Sequence, residues 1–182
     1  MNYVEPIRDK KQINEMKAYL KNRNIRDCLL FVLGINSGLR ISDLLSLKIS
    51  DIKDRDRIII QEKKTGKTKD FPLSETCKQT INEYLSITKR DSGWLFKSKK
   101  SHLPISRVQS YRIMNMAARA VGINEAIGTH TLRKTFGYWA YKGGADVTRI
   151  QKLLNHSAPS VTLAYIGITK DELDTIYINL NL

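Results

Sequence analysis

The sequence predicts an α+β fold, mainly helical, with one small antiparallel sheet that ends in a β-hairpin. Three observations carry this. Apolar residues recur at helical spacing through most of the 182 residues. The period changes between Ile49 and Phe71, where Ile58-Ile59-Ile60 and a second extended run closed by Pro72 flank a charged, Gly66-centred turn. Glycines, prolines and small polar residues stand where helices must start or stop.

Taken in order, residues 9–22 place Ile13, Met16 and Leu20 on one helical face, and 25–36 form a more thoroughly apolar helix ending near Gly38. A short helix follows, with Leu44, Leu45 and Leu47 turned inward. The hairpin tip falls at Lys63-Lys64-Thr65-Gly66-Lys67. Helical periodicity resumes after Ser74, an N-cap, with Cys77, Ile81, Tyr84 and Leu85 on one side. Trp94-Leu95-Phe96 reads as a short extended piece. Ser106 caps a helix bearing Val108, Tyr111, Met114, Ala118 and Val121, stopped by Gly122. Residues 130–142 make a helix that buries Leu132, Phe136, Trp139 and Ala140, ended by Gly143-Gly144. Asp146 caps the next, with Val147, Ile150, Leu153 and Leu154 inward. Pro159 opens the helix that carries Tyr165, and Thr169-x-x-Glu172 is a capping box for a final segment. Without a repeat or a low-complexity linker, residues 1–182 read as a single domain with a tail from about position 168.

Thirty-one lysines and arginines against eighteen acidic residues leave a net charge of +13. So large a basic excess favours a polyanionic partner, double-stranded DNA first. No apolar run approaches the length of a membrane-spanning helix, and Met1-Asn-Tyr-Val-Glu-Pro lacks the apolar core of a signal peptide. Cys28 and Cys77 both lie on apolar helical faces and read as small core residues in a reducing cytoplasm.

Against this background six side chains stand out: Arg40, Lys64, His130, Arg133, His156 and Tyr165. Guanidiniums and imidazoles can hold the charge of a phosphodiester in its transition state, and a phenol can attack it. Each alone has a plainer use. Arg40, at the junction of two helices, suits a solvated surface, or its fork binds two non-bridging oxygens. His130 and Arg133, three residues apart, share one face of a helix and can meet one phosphate. Lys64 suits a polar turn, or reaches a DNA groove and protonates a leaving oxygen. His156 follows a helix end, where histidine often serves the dipole.

Their joint order is more specific. Together with Gly38-Leu-Arg-Ile-Ser-Asp-Leu-Leu-Ser-Leu, the Lys-Thr-Gly hairpin ahead of Phe71-Pro-Leu, and Leu153-Leu-Asn-His, it resembles the tyrosine recombinases of the phage integrase family over nearly the whole chain. The resemblance implies that family's catalytic-domain fold and an enzyme that uses neither metal nor ATP. Tyr165 is then the nucleophile that forms a 3′-phosphotyrosine and releases a 5′-hydroxyl. Arg40 and Arg133 clamp the scissile phosphate, and Lys64 is general acid to the leaving oxygen. His130 assists proton transfer, and His156 hydrogen-bonds the phosphate. It also implies a prokaryotic protein acting as a homotetramer on two DNA duplexes, with an apolar tail (Leu173, Ile176, Ile178, Leu180, Leu182) docked on a neighbouring copy. The likeness begins within the first residues, so the N-terminal core-binding domain usual in the family is expected to be absent. That suits a catalytic fragment or a naturally short recombinase. Charge and placement alone suggest further DNA contacts at Lys63, Lys67, Lys69, Arg107, Arg112 and Lys134.

Three positions depart from the family. Asn155 stands where glycine is usual, and Thr131 and Lys134 fill places that often carry acidic and histidine side chains. Among rivals, a P-loop fails because Gln61 replaces its first glycine and a strand follows Gly66-Lys67-Thr68. A metal nuclease lacks a carboxylate cluster. A type IB topoisomerase shares the chemistry, and a non-catalytic DNA-binding accessory module is the alternative from another class.

Overall fold

The computed structural model describes residues 4–168 and 170–180, with the backbone alone at 170, 171, 173, 176 and 177. The apolar segment Ile25–Ser37 (α2) is the central helix, and nearly all its residues are buried. Around it pack α1 (Lys10–Arg23), α4 (Glu75–Thr88) and α6 (Thr131–Lys142). Leu29, Leu30, Phe31 and Leu33 on α2 are essentially inaccessible, and full burial of each such side chain is worth roughly 1.5–3 kcal/mol. Gly38 ends α2 in the left-handed conformation, φ 60°. A Cβ there would also lie 2.5 Å from the Phe136 ring, so glycine is required twice over.

After α2 come α3 (Ile41–Leu45) and a single 3-10 turn, Ile49–Asp51. Strands β1 (Arg57–Gln61) and β2 (Thr68–Pro72) pair antiparallel, with Gln61 opposite Thr68 at the mouth of the hairpin. Ser74 caps α4 through its hydroxyl, as Ser106 caps α5 (Arg107–Ala120). Trp94-Leu95-Phe96 is not extended. It turns between two isolated bridges, Lys48 with Trp94 and Lys97 with Pro104, which sends Leu95 and Phe96 into the core. On α5 the buried stripe is Ser110, Ile113, Met114, Ala117 and Ala118, whereas Val108 and Tyr111 face outward.

The final third of the chain builds a second, smaller apolar cluster from Tyr138, Ile150, Leu154 and Ile166. It joins α6 to α7 (Val147–Leu153) and α8 (Pro159–Ile166). Leu153, expected inward, is exposed: α7 ends there, and Leu154 takes the buried place. Phe136, Trp139 and Ala140 are half-buried between the two clusters. An N-terminal segment straps this region down. The Ile7 amide donates to Thr135 Oγ1, its carbonyl accepts from the Trp139 indole, and Arg8 donates to the Gly167 carbonyl. Helix α9 (Lys170–Leu180) follows. Thr169, and with it the expected capping box, lies outside the described residues, as do Leu182 and the side chains of Leu173 and Ile176.

Candidate active site

The seam between the two clusters collects the chain's most unusual charges. Arg133, one turn into α6, is only 3% exposed. Its guanidinium donates to the carbonyls of Gly38 and Leu154, the C-terminal caps of α2 and α7. Two helix C-termini thus supply the partial negative charge that a buried cation needs. Lys69, on β2, donates to the carbonyl of Ser37 at the same end of α2, 3.1 Å away. Burial, then the nearby Arg133 charge, brings its ammonium down to about 8.

Arg40 is the N-cap of α3, placed by the turn at Gly38. It pairs with Glu62 at 2.9 Å, and the Glu62 side chain is wholly inaccessible. Glu62 also accepts from Thr65 Oγ1 and from the Asn155 amide, both at 2.8 Å. Burial alone would push this carboxyl up, but the Thr65 hydroxyl and Arg40 outweigh it and hold it below its ordinary range. Asp43, also buried, accepts from the Lys63 backbone amide and so ties α3 to the hairpin.

Asn155 is left-handed, φ 48°, which explains how it fills a glycine-like position. It delivers His156, whose Nδ1 lies 3.1 Å from Thr162 Oγ1 on α8. The His156 ring meets the Tyr165 ring edge-on, 4.8 Å between centroids. Burial first, then Arg133 and Arg40, lowers His156 to about 4, so the ring is neutral at physiological pH. Burial pushes the Tyr165 phenol up, while Arg133 and Arg40 pull it down. The Lys134 ammonium lies over the tyrosine ring, 5.3 Å from its centroid.

The structure therefore brings Arg40, Arg133, His156 and Tyr165 together in one cluster. His130 is exposed at the N-cap of α6 rather than on its face, so it does not share Arg133's buried aspect. It nonetheless stands close enough to Arg107, Arg133, Lys134 and Arg40 that their charges, after burial, lower its pKa. Lys64 stands apart, exposed in the hairpin turn with Lys63 and Lys67. Arg107 and Arg112 are exposed on α5, Arg107 reaching Thr129 Oγ1 beside His130. Lys69 and Lys134, expected on the surface, are drawn inside by the α2 terminus and the tyrosine ring. The sequence reading missed Glu62 and Asp43. Lone carboxylates in a basic segment carry no local sign of burial, although Asp43 lay within the motif that pointed to Arg40.

A family model described as "Phage integrase family" matches residues 8–172. The chain is 48% identical over 177 residues to a "Probable integrase/recombinase YoeC" of Bacillus subtilis, covering 97% of each. It is 30% identical over 159 residues to a tyrosine recombinase XerD of Corynebacterium glutamicum, covering 85% of this chain and 52% of that protein. A crystal structure of XerH site-specific recombinase bound to palindromic difH substrate, a post-cleavage complex, shares the fold with a TM-score of 0.76 at 19% identity. That match covers 97% of this chain and 53% of the other, so the chain spans about half the length of the Xer proteins it resembles.

Proposed function

The chain belongs to the phage integrase family and has the fold of a tyrosine recombinase catalytic domain; from that premise we propose that it cuts and rejoins DNA strands through a 3′-phosphotyrosine. One observation carries the reading: a phenol, a neutral imidazole and two guanidiniums converge on one place in a strongly basic protein. Arg40 and Arg133 bind the non-bridging oxygens of the scissile phosphate and take up the charge that develops there. Tyr165 Oη attacks phosphorus. The P–Oη bond forms, the bond to the 5′-oxygen breaks, and that oxygen receives its proton from Lys64 as the hairpin closes on DNA. His130 accepts the phenol proton as the P–Oη bond forms. His156 donates from Nε2 to the phosphate when Thr162 Oγ1 donates to Nδ1. Attack by another 5′-hydroxyl reverses the steps, so the ester keeps its energy and neither metal nor ATP is consumed.

The partner is double-stranded DNA, bound chiefly through phosphates and therefore steeply salt-dependent. Exposed Ile178 and Leu180 on α9 support docking of the tail on a neighbouring copy in a tetramer spanning two duplexes. Integration or excision of a mobile element in the cytoplasm of a prokaryote is the setting that fits. No described helix is long and apolar enough to cross a membrane.

A duplex nicked near the cleavage point tests this. Covalent protein–DNA product is expected from the wild type and none from Tyr165→Phe. No product from either protein would overturn the reading.

A further inference from the structure

We propose that Glu62 is a positioning residue for strand cleavage: one buried carboxylate that fixes Arg40, the base of the Lys64 hairpin and the approach to His156 together. The proposal rests on the recombinase reading above and adds to it a group outside the six.

Three segments far apart in sequence converge on this side chain. Arg40 comes from the start of α3, Thr65 from the hairpin turn, and Asn155 from the residue before His156. The Glu62 backbone closes the same hairpin, its amide donating to the Lys67 carbonyl and its own carbonyl accepting from Gly66. Thr65 Oγ1, held by the carboxylate, in turn accepts from the Lys67 amide. Lys64 thus stands on a turn whose base is anchored by the partner of Arg40.

Charge explains why a carboxylate serves here. Arg40, Arg133 and Lys69 crowd one place, and Glu62 and Asp43 are the acidic groups that face them. Their sum is one positive charge, matched by the single negative charge of a phosphodiester. Without Glu62 the two guanidiniums repel each other in a poorly screened site, and Arg40 leaves the geometry that phosphate binding needs. The same contact accounts for Asn155. A glycine would adopt its backbone conformation more easily but could not reach Glu62.

Single-turnover cleavage of the nicked duplex by Glu62→Gln tests this, with DNA affinity measured separately. The glutamine keeps the shape, removes the charge and turns one of the two acceptor oxygens into an NH2 donor, so it cannot hold Arg40, Thr65 and Asn155 together. Affinity is expected to hold or tighten, because a negative charge is lost, while cleavage at saturating DNA slows at least about tenfold. Asn155→Gly is expected to slow cleavage less, and to add nothing when combined with Glu62→Gln. Without DNA, the Lys67 amide is expected to exchange its hydrogen faster in Glu62→Gln than in wild type.

A Glu62→Gln cleavage rate within about twofold of wild type would overturn the proposal. So would a defect that saturating DNA abolishes, independent effects of the two substitutions, or unchanged exchange at Lys67. Failure of the wild type to form covalent product would instead remove the recombinase reading, and the exchange result would still decide whether Glu62 holds the hairpin.

Discussion

His156 and Tyr165 meet edge to face, their ring planes at 70°. Burial first, then the Arg133 and Arg40 charges, leaves His156 neutral, with its pKa at about 4 against an ordinary 6.5. Between those values the unfolded chain binds a proton that the folded protein refuses. The contribution of His156 to stability is therefore whole above pH 6.5 and is lost as pH falls towards 4. In His156→Gln the stability measured by denaturant melts is expected to fall less steeply over that window. Parallel curves for the two proteins would contradict the assignment.

Lys69 gives a slope of the same sign at higher pH. Its folded value, about 8, lies below the ordinary 10.5, so the unfolded chain holds more protons between them and stability rises with pH through that window. Lys69→Met is expected to lose this rise. The difference between the two proteins should change by about 2 kcal/mol across the window, after discounting for partial exposure. Paired melts at its two ends measure it.

Arg133 spans two carbonyls with one planar fork. Lysine offers a single ammonium that cannot reach both in that geometry. Arg133→Lys is expected to cost about 1–3 kcal/mol through one unsatisfied buried carbonyl. Cleavage should fall by far more than the loss of folded protein explains. Thermal melts together with single-turnover rates separate the two effects.

Gly137 lets α6 approach α8 closely. A Cβ there would lie 2.6 Å from Ile166 Cγ2 and 3.2 Å from Leu154 Cδ1. Alanine gains about 1 kcal/mol of helix propensity, but overpacking costs about 1–3 kcal/mol. The expected outcome for Gly137→Ala is a net loss of stability and slower cleavage, because Ile166 adjoins Tyr165. Equal or higher stability with normal cleavage would show that α8 can yield.

Much of this architecture is legible locally. Ser74, Ser106, Asp146 and Pro159 mark helix starts because capping chemistry acts within a few residues. The hairpin is legible for the same reason. What stayed hidden depends on distant partners. Arg133 and Lys134 look like surface cations until two helix ends and a tyrosine ring are brought to them. Glu62 meets Asn155 across 93 residues. The outward turn of Val108 and Tyr111 is of this kind too. The apolar pattern of α5 offered two stripes, and the small residues Ser110, Ala117 and Ala118 face the core.

The strap at Ile7 and Arg8 bears on how the protein is made. Ile7 and Arg8 are made well before their partners, since Thr135 lies 128 positions beyond Ile7 and Gly167 lies 159 beyond Arg8. Until those arrive, water serves the backbone of the strap. Arg8, the link between the N-terminal segment and the end of the tyrosine helix, has only nearby Glu5 to grip. Contacts this remote close late. A nascent copy halted before α6 thus lacks Arg133, His156 and Tyr165, and Arg40 gains these neighbours only once α8 has been made.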